Sequence, residues 1–400
     1  MKFWGITGTN GKTTTTWILA EFLNAAPGRK CGYITTVVVF DGREHFYTGY
    51  TTPPLARLEE IYAAMEANGC TDCAMEVSSH AIHQNRVGFG EVTKFFGGAF
   101  TNLSEDHLDY HKTMEEYFRV KLSFAERIVN RARAWPWMGR RDLRPFVVCM
   151  DGGYGREMLE EVGKLPLNAI PVTFRSPRYD LSGLQLVGDY NKSNVLVAAA
   201  LAEAAGVPRE AIQAVIPTLK PRWGRLEKVE NPDVRADVYV DFAHTPDGLE
   251  KVLMAARGFT PSGGRLWIVF GAGGDRDPMK RPLMGEVCAL LADRVVVTSD
   301  NPRSEDPMAI VTQILAGMGT GPTKAFVLAG STGPVPTDAP TDARIFVEPD
   351  RGKAIAYALT NAEKGDVVII AGKGHETTQE IKGVKHPFDD REAVRSFFMV

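Results

Sequence analysis

The stretch Thr7-Gly-Thr-Asn-Gly-Lys-Thr-Thr14 decides the fold class. It follows directly on the apolar run Phe3 to Thr7 and leads into Thr13 to Asn24, whose apolar spacing suits an amphipathic helix. A strand, a glycine-rich turn and a helix start make an anion cradle, because small residues let backbone N–H groups close round phosphate oxygens at the positive end of the helix. On that reading Gly8, Thr9, Asn10, Gly11, Lys12, Thr13 and Thr14 hold a triphosphate; Lys12 meets the β/γ-phosphates and the Thr13 hydroxyl reaches Mg²⁺. The spacing departs from the usual pattern, since Ile6 stands five before Gly11 and the glycines fall at Gly5 and Gly8. The bland alternative is a structural turn.

Working outward, short β-branched runs alternate with helical patterns along most of the chain. Val147 to Met150, Val238 to Phe242, Trp267 to Phe270, Val295 to Thr298 and Val367 to Ala371 read as buried strands, and Leu55 to Asn68, Asn191 to Ala205 and Met284 to Ala292 as helices. That alternation predicts an α/β fold with parallel sheets. Four hundred residues exceed what one core usually covers, and the proline-bearing stretch Pro217 to Trp223 ends a helical run. The expected division is a nucleotide-type domain, 1–221, followed by a smaller α/β domain, 222–400. Gly319 to Thr341, rich in Gly, Pro and Thr, reads as a surface loop of the second domain.

Composition excludes several classes. Hydrophobic residues at 44% and charged residues at 24% rule out a disordered, collagenous or coiled-coil chain. A net charge of −3 gives no field for a polyanion, so no nucleic-acid partner is expected, and the Arg- and Trp-bearing stretch 131–145 reads as a solvated insertion. No apolar stretch approaches a membrane span and no signal peptide opens the chain, so a cytoplasmic protein without a membrane partner is expected. Five scattered cysteines fit a reducing compartment; Cys70 and Cys73 form a C-x-x-C with no second pair, and read as turn and strand residues.

Two further constellations sit where strand-like runs end: Met75-Glu-Val-Ser-Ser-His80 and Thr101-Asn-Leu-Ser-Glu-Asp-His-Leu-Asp-Tyr-His111. Ends of parallel strands are where an open α/β sheet places its ligand crevice. Glu76 offers a hard oxygen ligand for Mg²⁺, and His107 a second ligand less suited to magnesium. Singly each is a surface polar residue; together with the glycine-rich loop they gain meaning.

With these motifs the chain resembles the ATP-dependent Mur ligases, which build the peptide of the bacterial cell wall, and among them the branch that adds the third residue. The likeness runs from residue 3 to the C-terminus. It takes in Thr51-Thr-Pro53, the Glu76 to Arg86 block, Trp223-Gly-Arg-Leu-Glu227, Asp241-Phe-Ala-His-Thr-Pro-Asp247, Gly271-Ala-Gly-Gly-Asp-Arg-Asp277, Asp300-Asn-Pro-Arg303 and Ala371-Gly-Lys-Gly-His-Glu376. It implies a central P-loop-type parallel-sheet ATPase domain followed by a Rossmann-like C-terminal domain that binds the amino acid.

The resemblance also implies the chemistry. ATP phosphorylates a carboxylate of UDP-N-acetylmuramoyl-L-Ala-D-Glu, and an amino acid's amine attacks the acyl phosphate to give amide, ADP and phosphate. Positioning and cations carry most of such catalysis. Lys12, Lys121, His107 and Glu76 are the implied catalytic set. Thr13 and Glu76 hold one Mg²⁺ and His107 a second, with Lys121 as an N6-carboxylysine formed with CO₂. Carbamylation needs a neutral amine and hence a depressed lysine pKa. Thr51, Thr52, Ser78, Gln84, Arg86 and His244 are implied for the muramyl dipeptide, and Asn191, Asn194, Arg225 and Asp241 for the adenosine; Asn191 reads equally as a helix N-cap. Arg276, Asp300, Asn301, Arg303, Gly372 and Glu376 are implied for meso-diaminopimelate. That amino acid differs from lysine by a carboxylate that Arg303 can pair bidentately, while Glu376 answers the distal ammonium.

Two other readings stay open: ligation onto a different carboxylate acceptor, and a nucleotide-binding switch that would need none of Lys121, His107 or Glu376. Small-molecule substrates and a monomer are expected. Full-length relatives carry a further N-terminal domain that grips the uridine nucleotide, and a P-loop strand starting at residue 2 or 3 leaves no room for it. A separate UDP-binding chain, weaker binding through the muramyl-peptide end, or a truncated record would each account for this.

Overall fold

The strand that precedes the glycine-rich loop is β1 (Lys2–Thr7), buried from Phe3 to Thr7. The computed structural model describes residues 1–129, 143–230, 235–319, 325–327 and 344–397, which fall into two units, Met1–Lys220 and Pro221–Val400. In the first unit β1 is joined by β2 (Cys31–Ile34), β3 (Val39–Phe40), β4 (His45–Phe46), β5 (Asp72–Glu76), β6 (Phe95–Phe100), β7 (Pro145–Cys149) and β8 (Asn168–Val172). They order as β4-β3-β2-β5-β1-β6-β7-β8, parallel except for the β2-β3-β4 edge. The helices are α1 (Lys12–Asn24), α2 (Leu55–Ala67), α3 (Ser79–His83), α4 (Leu108–His111), α5 (Met114–Ile128), α6 (Gly155–Gly163), α7 (Asp189–Ala204) and α8 (Arg209–Val215). Apolar residues of α2, α5 and α6 form one core with the sheet, while α1 and α7 pack together on β2, β5, β6 and β7. Gly5 serves that packing, because a β-carbon there would collide with the Phe124 ring of α5.

The second unit repeats the plan with β9 (Glu227–Lys228), β10 (Asp237–Asp241), β11 (Leu266–Phe270), β12 (Arg294–Val297), β13 (Ala325–Val327), β14 (Ile345–Val347) and β15 (Val367–Ala371). The order is β13-β14-β12-β11-β15-β10-β9, with only β9 antiparallel. Helices α9 (Pro246–Phe259), α10 (Lys280–Leu291) and α11 (Pro307–Ala316) cover one face; α12 (Arg351–Asn361) and α13 (Asp390–Phe397) cover the other, and β16 (Thr378–Ile381) pairs with β17 (Val384–Pro387) as a hairpin.

The α/β expectation holds, with two corrections. Strand β13 lies inside the stretch read as a loop, its Ala-Phe-Val run pairing in parallel with β14; most of 319–341 lies outside the described residues. Asn191 is not an N-cap: α7 begins at Asp189 after Gly188, and the Asn191 amide donates back to the Val187 carbonyl at 2.7 Å. Of the 131–145 insertion, residues 131–142 likewise lie outside the described residues. All five cysteines are free and buried.

Both sheets share a device at the amino end of their central strands. The Trp4 indole of β1 donates to Asp72 at the start of β5 (2.8 Å), and Arg29 bonds the same carboxylate. The Trp267 indole of β11 donates to Asp366, just before β15 (2.9 Å), and Arg265 bonds that carboxylate. Each clamp ties neighbouring parallel strands at the edge opposite the functional loops.

Candidate active site

In the first unit the chain places β5 on one side of β1 and β6 on the other, which opens a crevice at their carboxyl ends. The loop after β1 is tightly built. Gly8 (φ +147°) and Gly11 (φ +83°) hold backbone that side chains rarely adopt, and β-carbons there would collide with the Thr101 hydroxyl and the Asn194 amide. The end of β6 locks the turn: the Thr9 N–H donates to the Asn102 carbonyl (2.9 Å), and the Asn10 N–H to Asn102 Oδ1 (3.0 Å). The Thr101 hydroxyl and Asn102 amide donate to the Asn10 carbonyl (2.6 and 3.0 Å).

Two lysines converge on this loop. Lys12 Nζ donates to the carbonyls of Gly8 (3.0 Å) and Thr9 (2.7 Å), and Lys121 Nζ, from the middle of α5, to the Gly8 carbonyl (2.8 Å). Lys121 is 1% exposed and lies 4.4 Å from the Tyr117 ring centre. Burial, reinforced by Lys12, pushes its pKa well below the ordinary lysine value, against a smaller opposing pull from Asp106. A mid-helix lysine is normally a solvated one; this one is a core residue.

His107 has left-handed backbone (φ 56°) at the start of α4 and packs edge-on to His80, ring centres 4.9 Å apart. Desolvation lowers its pKa to about 4, with His80, Lys12 and Lys121 acting in the same direction and Asp106 against, so the imidazole is neutral at physiological pH. Glu76, 1% exposed at the end of β5, accepts from the Thr36 N–H (2.8 Å), and the Thr36 hydroxyl lies 3.1 Å from both Glu76 Oε2 and the Thr51 hydroxyl. Thr52 donates to the Glu76 carbonyl (2.8 Å) and accepts from the Ser78 N–H (3.1 Å), while the Ser78 hydroxyl caps α3. Gln84 accepts from Arg86 (2.7 Å) and donates to Tyr110 (3.1 Å). Asn194 accepts from Thr15 of α1 (3.3 Å) and donates to Asn191 (3.2 Å), which fixes both asparagines behind the loop. Thr13 and Thr14 are buried in the first turn of α1.

In the second unit the loops after β11, β12 and β15 gather Arg276, Asp300, Asn301, Arg303, Gly372 and Glu376. Asn301 donates to Glu376 (2.8 Å), the Asp300 carboxylate lies against Gly372, and Arg303 and Arg276 both border Gly273. Arg303, at φ 52°, donates to the Gly274 carbonyl and stands 3.7 Å from Glu380. At the end of β10, Asp241 accepts from the backbone N–H groups of Leu226 (2.6 Å) and Ala243 (2.7 Å). Burial raises its pKa, with Arg225 opposing. Arg225 lies 4.7 Å from the Phe242 ring centre, and His244 packs on that ring and bonds the Phe242 carbonyl (2.8 Å). His375 packs at a tilt against Phe242, ring centres 5.0 Å apart, its pKa held down to about 3 by burial, then by Arg225, Arg391, His244 and Lys373.

Sequence reasoning missed Thr36, Asn102, Tyr117 and Lys373. Lys373 carried a signal, a lysine inside a glycine-rich turn after a buried strand; Thr36 carried none. Among the described residues no group of three or more His, Cys, Asp or Glu could hold a metal by itself. None of the described helices is long and apolar enough to cross a membrane.

The Mur ligase middle domain family matches residues 6–202, and the Mur ligase, glutamate ligase domain family residues 224–374. A protein of Synechococcus elongatus named UDP-N-acetylmuramoyl-L-alanyl-D-glutamate--2,6-diaminopimelate ligase is 41% identical over 99% of this chain and 76% of its own length. A solved structure bearing that name aligns with TM-score 0.58 and 30% identity, over 100% of this chain and 78% of the other. Mycobacterium tuberculosis folylpolyglutamate synthase, complexed with ADP and AMPPCP, aligns with TM-score 0.63 at 16% identity over 99% of this chain and 91% of its own, a likeness of fold.

Proposed function

The chain belongs to the Mur ligase family, and from that membership we propose that it joins meso-diaminopimelate to UDP-N-acetylmuramoyl-L-Ala-D-Glu in peptidoglycan precursor synthesis, with conversion of ATP to ADP. The observation that carries the choice of amino acid is the cluster in the second unit. Glu376 and Asp300 stand with Arg303 and Arg276 around the same loops, an arrangement of both signs that suits a molecule with two ammonium and two carboxylate groups.

The acceptor's carboxylate oxygen attacks the γ-phosphorus as the bond to the bridging oxygen of ADP breaks. The amine then attacks the acyl carbon, loses a proton, and phosphate leaves. Lys12 would neutralise the transferring phosphoryl group, and the locked backbone of Gly8 to Gly11 would keep the phosphates from drifting. The residues present fit Mg²⁺. Glu76 is a buried carboxylate, Thr13 a buried hydroxyl, His107 a neutral imidazole, and Lys121 a buried amine poised to take up CO₂ with loss of a proton. Bound there, Mg²⁺ would neutralise charge on the phosphoryl oxygens. With so few protein ligands, phosphate oxygens and waters would complete its shell. In the first unit Thr51, Thr52, Ser78, Gln84 and Arg86 would contact the muramyl dipeptide and Asn191 and Asn194 the adenosine; in the second unit His244 would contact the dipeptide, and Arg225 and Asp241 the adenosine.

The test is phosphate release by purified protein supplied with ATP, Mg²⁺ and UDP-N-acetylmuramoyl-L-Ala-D-Glu, comparing meso-diaminopimelate with L-lysine. Release that depends on diaminopimelate is expected. Equal rates would remove the argument from Arg303, and no release with either would point to another acceptor.

A further inference from the structure

Lys373 follows Gly372 in the turn after β15 and is fully buried, 0% exposed. Its ammonium lies between three side chains: it donates to Asn301 Oδ1 (3.1 Å) and Glu376 Oε2 (3.1 Å), and forms an ion pair with Asp300 Oδ1 at 3.7 Å. Asn301 closes the ring by donating from Nδ2 to the same Glu376 Oε2 (2.8 Å), and the Glu380 N–H also donates to Asn301 Oδ1 (2.9 Å). The Asn301 amide is thereby held one way round, oxygen toward two donors and nitrogen toward the carboxylate.

The consequence falls on Glu376. Its Oε2 receives two donors from below, while Oε1 has no hydrogen-bond partner among the described residues and the side chain remains 32% exposed. Oε1 is thus the Glu376 oxygen left for an incoming cation, while the Asp300 carboxylate faces Lys373 at 3.7 Å. The nearby Arg351, also buried, is committed elsewhere: it pairs with Asp390 and bonds the Ser299 and Ala371 carbonyls, bracing the same loops without touching Glu376.

We propose that Lys373 is a positioning residue of the amino-acid subsite, an internal counterion that fixes Glu376 and Asn301 so that one carboxylate oxygen meets the ammonium group of the incoming diamino acid. The inference rests on the reading that this cluster takes the amino acid. Removing the cation leaves two carboxylates and an amide without the group that orders them, a loss felt in amino-acid binding before anything else.

The test is steady-state kinetics of Lys373→Met with diaminopimelate and ATP varied separately, alongside a thermal melt. The expected result is a KM for diaminopimelate raised about tenfold or more with the KM for ATP within about twofold of the original. A folded Lys373→Met with unchanged KM for diaminopimelate overturns the proposal, as does an equal rise in both constants, which a merely structural role would give. Should that variant not fold, Lys373→Gln, which keeps a donor and drops the charge, is expected to give the same split and is judged by the same criterion. Absence of turnover by the unaltered protein with any diamino acid would overturn the underlying reading, a failure distinguishable because it needs no substitution.

Discussion

Lys121 and Lys373 are both fully enclosed, yet the two units treat them in opposite ways. Lys121 forms no ion pair among the described residues; it has a carbonyl, an aromatic ring and a second lysine for company, and its pKa falls well below the ordinary value. Lys373 has two carboxylates and an amide oxygen within reach. Water's absence makes a bare charge costly, and a protein answers either by letting the amine go neutral or by supplying an opposite charge. On the proposed reading the first answer would leave a reactive nitrogen beside a phosphate loop, and the second a counterion beneath the amino-acid subsite. Burial of a lysine therefore says little about its role until its partners are named.

The contrast is broken most directly at Lys121. Replacing it with Ala should lower phosphate release by roughly 10²–10³-fold, the scale of losing one charge-stabilising group, and short carboxylates added to the assay should restore part of it. Undiminished turnover would favour a nucleotide switch and leave the buried amine as packing. The next largest effect is expected at Arg303, where Arg303→Leu should cut the preference for diaminopimelate over lysine by roughly 10²-fold, since a site built to pair a charge rejects the ligand that lacks it. An unchanged preference would move discrimination to Arg276.

These sites were unevenly legible. The loop from Gly8 to Thr14 and the strand end at Glu76 lie within a few residues of recognisable periodic runs, so local pattern revealed them, whereas Asp300 and the turn at Gly372 were marked only by the likeness to the Mur ligases. What remained hidden are bonds across long separations. Thr36 reaches Glu76 over 40 residues, Lys373 reaches Asn301 over 72, and Lys121 reaches Gly8 over 113. No local periodicity encodes such partnerships, because they exist only once parallel strands bring loops to a common edge. The short strand β13 and the β16–β17 hairpin escaped for a related reason: three or four residues of modest apolarity become strands only beside a formed neighbour.

A smaller effect extends the comparison of the two units to the opposite edge of each sheet. Asp72 and Asp366 are enclosed carboxylates, and burial alone would raise their pKa values. Bonds from Arg29, Trp4 and Thr71 in one case, and from Glu363, Arg265 and Trp267 in the other, outweigh it and hold both below the usual aspartate value. A carboxylate whose folded pKa is depressed adds stability above its unfolded pKa and loses it as pH falls through the folded one. Asp72→Asn and Asp366→Asn should therefore each cost about 1–3 kcal/mol near neutral pH, and the gap to the unaltered protein should begin to narrow once the pH drops below about 4 and close only below the depressed folded pKa. Urea unfolding across that range measures both quantities. A loss at one position only would mean that the two clamps, alike in geometry, stabilise one unit and merely decorate the other; a loss that persists in acid would trace the effect to packing around the indole and not to the charge.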